Sequence, residues 1–288
     1  LSTIAPCPKI IPIDAALDNA AASTLRNVWF MTIPAATILA EGPFTAAALD
    51  IHWQSDPPLP SHAHAHIHAR WAHYLSEAAA QKKSLFNAPV TRLIRVEKDQ
   101  NRITLTLAPT DYKTFLVTTL RDRSWFQEHA PEALRPALGN SVFLTQGSRA
   151  LLGIRSLRTS AYADRAHLIG GVLDALNTPL LPASVEGILK HLRTELQEEA
   201  AITDLDLAGP PTLLFVARDE FLAQPELVWH WELATSLDAI AARLDPEEHH
   251  GHLILHRENL DPHAFTRMTP LARLAWQRWA KQSKAPTQ

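Results

Sequence analysis

At 288 residues the chain is long enough to bury a sizeable core, as one large domain or two modest ones. Its 46% hydrophobic and 20% charged content is that of an ordinary globular protein, and a net charge of −3 argues against a dedicated nucleic-acid binder, which carries a net basic surface. No apolar run is long enough to span a bilayer, and the single cysteine, Cys7, excludes an intrachain disulfide and a cysteine-built zinc site. The Pro-rich start, Leu1–Asp14, lacks the basic-then-apolar layout of a secretory signal. The cytoplasm is therefore the compartment expected by default. The first residue is Leu, not Met, which leaves an upstream native start open.

Val28–Ile33 and Ala47–Trp53 read as strands, the second closed by the turn residues Asp56-Pro57-Pro58-Leu59-Pro60. Ala65–Ala80 reads as a helix with Trp71 and Leu75 on one side. Val90–Glu97 and Arg102–Leu107 form a strand pair around a polar turn, and Thr110–Thr119 opens a loop or helix. The Pro- and Gly-containing stretch His129–Gly139 is the expected boundary, dividing the chain into residues 1–135 and 136–288. Beyond it, Ser141–Thr145 and Ala150–Arg155 read as strands. Gly170-Gly171 and a Pro-containing loop then lead to a helix over Ser184–Ala201. Thr212–Ala217, Leu227–Leu233 and Leu253–Leu255 read as strands, Ser236–Leu244 and Pro270–Lys281 as helices. Strands mixed with a few helices predict an α+β fold, with helices packed on a central sheet.

The helix over Ser184–Ala201 carries the strongest chemical signal. At about 100° per residue, Val185, Ile188, Leu189, Leu192 and Leu196 fall within one apolar sector. Glu199 projects into that sector, Glu195 lies at its edge and Glu198 sits further round the same side. Like charges at i, i+3 and i+4 repel, and acids at a helix C-terminus oppose the macrodipole. A hard divalent cation relieves both terms. A solvated acidic face is the alternative reading of the same pattern.

Gly170-Gly171, then Glu186, then Thr194-Glu195-Leu196-Gln197-Glu198-Glu199-Ala200-Ala201-Ile202 resembles the Nudix signature G-x5-E-x7-R-E-U-x-E-E-x-G-U. The resemblance implies an α/β/α sandwich with a mixed central sheet, preceded by a smaller α+β N-terminal domain. It also implies Mg²⁺, or alternatively Mn²⁺, held by Glu195, Glu198 and Glu199 with the carbonyl of Gly171, and a catalytic role for Glu198 or Glu199. The division between ligand and general base stays open. Three departures stand out: the segment from Gly171 to Glu186 is longer than x5, Thr194 replaces the arginine that usually orients the acids, and Ala201 replaces a glycine.

Further stretches, Ile67–Trp71, Leu85–Pro89, Leu107–Leu116 and Ala150–Ser156, resemble the divergent Nudix branch that hydrolyses UDP-glucose and UDP-galactose. That implies attack of water on a nucleoside-diphosphate sugar, releasing UMP and a sugar 1-phosphate. Arg155 and Arg165 are candidates for the phosphates or, equally, surface ion-pair partners; Asp111, Tyr112 and Lys113 either contact base or sugar or form a structured loop. An ADP-sugar, ADP-ribose or dinucleotide hydrolase, or a nucleotide-binding module with weakened catalysis, are the competing readings. Neither a nucleic acid nor a membrane is expected as a partner. Two histidine clusters, His62-Ala63-His64-Ala65-His66-Ile67-His68 and His249-His250-Gly251-His252, invite a metal reading, but the first precedes or enters a helix and the second reads as a polar turn. Trp71, Trp229, Trp231, Trp276 and Trp279 could stack bases, although packing accounts for each.

Overall fold

The computed structural model describes residues 35–157, 159, 161–259 and 261–282, so the expected strand Val28–Ile33 and Cys7 lie outside the described residues. The chain alternates strands with short connections: β1 Ala36–Thr45, β2 Leu49–Trp53, α1 Ser61–Ala80, β3 Pro89–Asp99, β4 Arg102–Asp111, α2 Tyr112–Phe115 and α3 Arg123–His129. A wide π-type turn, Leu116–Arg121, joins the last two. There follow β5 Gly139–Gln146, β6 Arg149–Arg155, β7 Ala166–His167, β8 Ile169–Val172, α4 Val185–Ala200, β9 Leu207–Asp219 and β10 Gln224–Leu233. The described chain closes with α5 Leu237–Ala241, β11 His249–His256, α6 Pro262–Arg267 and α7 Pro270–Gln282. No helix among the described residues is long and apolar enough to cross a membrane.

Two sheets result. The larger has eight strands in the order β1-β9-β10-β5-β6-β11, with β8 added beside β5 and β7 beside β6. It is mixed: β10 and β5 run parallel, and the other pairs are antiparallel. Period-two alternation sends neighbouring side chains to opposite faces. Val142, Leu144, Trp229 and Trp231 point into one core, shared with Ile188, Leu192 and Leu196 of α4. Phe143, Phe215 and Val228 point into the other, shared with Leu271, Ala275 and Trp279 of α7. Helices therefore cover both faces, giving the α+β sandwich with a mixed central sheet that was expected. Trp229, Trp231 and Trp279 are core residues.

The smaller sheet has three strands, β2-β4-β3, with β2 parallel to β4 and β3 antiparallel to it. Its Leu93, Ile103, Leu105 and Leu107 join the same core as α4, so that helix lies between the two sheets. A third apolar cluster packs α1 against Tyr112, Phe115, Val117 and Phe126. Helix α1 starts at Ser61, earlier than expected, directly after Pro60, and takes the first histidine run into its first two turns. The four rings then spread around the helix: His66 Nε2 lies 3.1 Å from Asp122 Oδ2, while His64 and His68 pair with ring centroids 4.5 Å apart.

Candidate active site

Helix α4 is fixed in place before its acids do anything. The Ser184 side chain caps it by accepting from the Gly187 amide at 3.3 Å, and Glu186 in the first turn complements the dipole. Glu186 itself is exposed. A buried amide then bolts the helix to the sheet: Asn140 of β5 accepts from Trp229 Nε1 at 2.9 Å and donates to the Ile188 carbonyl at 3.0 Å. With Ile188, Leu192 and Leu196 in the core, Glu195 and Glu199 follow on the flank that faces β8 and β11, and their side chains keep only 23% and 12% of their exposure. Glu198 is exposed at the mouth.

Among the described residues Glu195 has no countercharge. Burial, then the charges of Glu199, Asp174 and Glu198, push its carboxyl from 4.5 up to about 9. The neighbouring His191 supplies none, because burial lowers its pKa to about 4 and Nε2 stays 3.5 Å from Glu195 Oε1. Gly171 leaves the space that Glu195 uses, since a Cβ there would stand 2.6 Å from Glu195 Oε2. Glu199 is placed differently: its Oε2 lies 2.8 Å from Nε2 of the buried His249. Among the described residues no three His, Cys, Asp or Glu side chains converge as an assembled metal site. Two neighbouring carboxylates are nonetheless hard oxygen donors, which suit Mg²⁺ or Mn²⁺ retaining several waters.

These groups line one cleft with a volume of about 260 Å³. Glu195, Glu198, Glu199 and Asp174 gather on one side. Arg155 of β6 lies close to Glu199, Glu248 and Glu226, with burial lowering its pKa and those carboxylates raising it. Further in, Tyr162 donates to Asp219 Oδ2 at 2.7 Å, and Ser141 Oγ donates to Glu226 Oε1. Burial pushes Glu226 up to about 7, Asp219 adds to that, and the Ser141 bond and Arg155 oppose it. Tyr112, Phe115 and Leu120 bring an apolar, partly aromatic surface from the N-terminal part of the chain.

Of the residues singled out from sequence, Glu195, Glu198, Glu199, Gly171, Arg155 and Tyr112 meet in this cleft. Three do not. Arg165 donates to the Thr266 carbonyl at 2.7 Å, which ties β7's approach to α6. Asp111 caps α2 by accepting from the Thr114 amide at 2.7 Å, and the Lys113 amide donates to Asn87 Oδ1 at 2.8 Å, so this pair belongs to a structured loop. Sequence reading missed His249, Asp174, Tyr162, Asp219 and Glu226. His249 was legible as a residue, but the expected polar turn around it is the start of strand β11. Arg193, beside the signature's arginine position, faces away and pairs with Asp204 at 2.9 Å.

No family model matches the chain, and no curated protein does. Solved structures do resemble it. A MutT Nudix hydrolase from Burkholderia pseudomallei is 19% identical over 50% of this chain and 97% of its own, with a TM-score of 0.35. A mutT/nudix family protein from Listeria innocua is 15% identical over 51% and 94%, TM-score 0.36. An ADP-ribose pyrophosphatase from Streptococcus suis 89-1591 is 13% identical over 52% and 93%, TM-score 0.31. Likenesses this distant carry no residue-by-residue correspondence, so the chemistry of this chain has to be read from its own cleft.

Proposed function

We propose that the chain is a Nudix-type pyrophosphohydrolase dependent on a divalent cation, acting on a nucleoside-diphosphate sugar. The observation that carries this reading is the pair Glu195 and Glu199, largely buried at one end of an open cleft, with no cationic partner for Glu195 among the described residues and next to a glycine that makes room for it. Burying carboxylates this way costs several kcal/mol unless something compensates. Glu195, Glu199 and the Gly171 carbonyl would hold Mg²⁺, or Mn²⁺ in its place. When bound, the cation neutralises charge on the pyrophosphate and makes a coordinated water more acidic.

The remaining work falls to the chain. Glu198, exposed at the mouth, accepts the proton of the attacking water. Arg155, lining the same cleft near Glu199, supplies positive charge for the phosphates. Tyr112, Phe115 and Leu120 form an apolar wall of the cleft, against which a nucleobase would pack away from water. Water adds to one phosphorus, the P–O–P bridge breaks, and a nucleoside monophosphate and a sugar 1-phosphate leave. UDP-glucose and UDP-galactose are the substrates favoured by the sequence resemblance.

The test is a panel of UDP- and ADP-sugars, ADP-ribose and dinucleotides incubated with Mg²⁺, with released monophosphate measured. UMP from UDP-glucose is expected, with Glu199→Gln lowering kcat by roughly a hundredfold or more at unchanged melting temperature. Turnover undiminished in Glu195→Gln, Glu198→Gln and Glu199→Gln alike would sink the assignment. Thr194 at the signature's arginine position favours a second reading, a nucleotide-binding module. Tight UDP-sugar binding without turnover in any metal would select it.

A further inference from the structure

We infer that His249, at the start of strand β11, is a positioning residue that holds Glu199 in its cation-binding orientation. This rests on the reading of Glu199 as a metal ligand. Its first support is contact: Nε2 lies 2.8 Å from Glu199 Oε2, and both side chains are nearly buried, at 4% and 12% exposure. Its second is the direction of the proton. The other ring nitrogen, Nδ1, is buried with no hydrogen-bond partner among the described residues, so the proton belongs on Nε2 and is donated to the carboxylate.

The backbone has been shaped to present this ring. Strand β11 pairs with β6 in antiparallel register, but the register shifts between His249 and Gly251. A bulge of this kind re-aims a side chain, and here it turns His249 inward while His250 stays outside, 3.0 Å from Asp164. Gly153 of β6 clears the path, because a Cβ there would collide with His249 Nδ1 and Cε1. The segment is also tied to the helix end at the same residue. The Asp245 amide donates to the Glu199 carbonyl at 2.7 Å, and the His249 amide donates to the Asp245 carbonyl at 2.8 Å. Glu199 is thus gripped through main chain and side chain by one short stretch, 245–249. A ligating carboxylate that is itself hydrogen-bonded keeps its geometry when the ion arrives, and losing such a partner weakens metal affinity roughly 10–100-fold.

Titrating the full chain with Mn²⁺ alone, followed by the EPR signal of the free ion, tests this without substrate or turnover. Wild type and His249→Gln, which keeps an N–H donor, are expected to bind within about threefold of each other. His249→Leu, which fills space without a donor, is expected to bind roughly tenfold more weakly or worse. Should His249→Leu melt early, His249→Asn keeps the polarity but draws the donor back out of reach, and is expected to show the same loss. Leu and Asn variants that bind Mn²⁺ like the wild type, or a Gln variant as weak as Leu, would overturn the inference while leaving the metal reading intact. Absent Mn²⁺ binding in the wild type, or binding untouched by Glu199→Gln, would overturn the reading of Glu199 and the inference with it.

Discussion

Gly170 and Gly171 stand side by side in β8, and neither has room for a methyl group, yet the consequences differ. At Gly170 the backbone φ is +134°, and a Cβ would strike the Asn140 carbonyl. Backbone cannot retreat, so Gly170→Ala is expected to cost about 2–3 kcal/mol in chemical denaturation. At Gly171 the obstacle is Glu195 Oε2, the far end of a flexible side chain. Gly171→Ala is therefore expected to change stability by less than about 1 kcal/mol, yet to lower turnover strongly by evicting that carboxylate. Equal losses of stability in the two variants would contradict this account. Glu226 supplies a pH dependence of its own. Its unfolded-state pKa of 4.5 rises to about 7 on folding, so between those values the native state binds more protons than the unfolded state, and stability falls as pH rises across that window. At about 1.4 kcal/mol per unit this amounts to roughly 3 kcal/mol. Glu226→Gln removes the titration, so denaturation at pH 4 and pH 8 should show the variant gaining on the wild type by an amount of that order at the higher pH. A constant difference between the two pH values would rule it out. At this scale the sequence reveals the acids and hides their partners. Glu195, Glu198 and Glu199 are visible because three residues on one helix keep a fixed angular spacing. His249, Tyr162, Asp219 and Glu226 arrive from separate strands, and no local spacing announces a meeting made by tertiary pairing.

Elements were legible where periodicity was long. The amphipathic stripe of α4 placed the helix to within a residue, with Ser184 as its cap and Val185–Ala200 as its body. Shorter or punctuated elements escaped. Strand β1 carries Gly42-Pro43 in its middle, a pair that reads as a turn, and β8 is built around two glycines that read as a loop. Both exist because a neighbouring strand supplies the pairing, β9 for β1 and β5 for β8. The histidines at the start of β11 look like a turn by composition, and only the register against β6 makes them strand. One departure from the signature acquires a structural meaning at this scale. Ala201, where the signature has glycine, ends α4 in the left-handed conformation at φ 47° and ψ 35°. A residue with a Cβ pays about 1 kcal/mol there, partly offset by the extra freedom glycine gives the unfolded chain. Ala201→Gly is accordingly expected to stabilise the protein by about 0.5–1 kcal/mol in urea denaturation without altering activity. A destabilised variant would show that the Ala201 methyl does more than sit in a strained turn.

The division into residues 1–135 and 136–288 is our proposal for the two structural units, and the contacts across it decide how they behave. Strand β1 precedes the boundary but is the edge strand of the larger sheet, paired with β9. The smaller sheet gives Leu93, Ile103, Leu105 and Leu107 to the core that seats α4. Thr91 of β3 stitches the two units directly. Its amide donates to the Leu173 carbonyl at 2.9 Å, its carbonyl accepts from Leu138 at 2.8 Å, and its hydroxyl donates to the Asp174 carbonyl at 2.7 Å while accepting from the Leu176 amide at 3.1 Å. Those bonds hold the chain segment that runs from Gly171 past Asp174 along the cleft, so the smaller unit braces the acid end of the site as well as walling its apolar end. Chains this long often unfold in stages, one domain at a time. A core held in common by both units removes the independent stability that staging requires. Urea denaturation followed by far-UV circular dichroism and by tryptophan fluorescence, which sums reporters in both units, among them Trp53 in β2 and Trp229 in β10, is expected to give one coincident transition. Thr91→Val, which keeps the shape but leaves the buried Leu176 amide without its acceptor, should lower stability by about 1–3 kcal/mol and move both signals together. Two separated transitions in the wild type, or a Thr91→Val effect confined to one signal, would mean that the units fold independently and that the cleft between them is assembled only after each is complete.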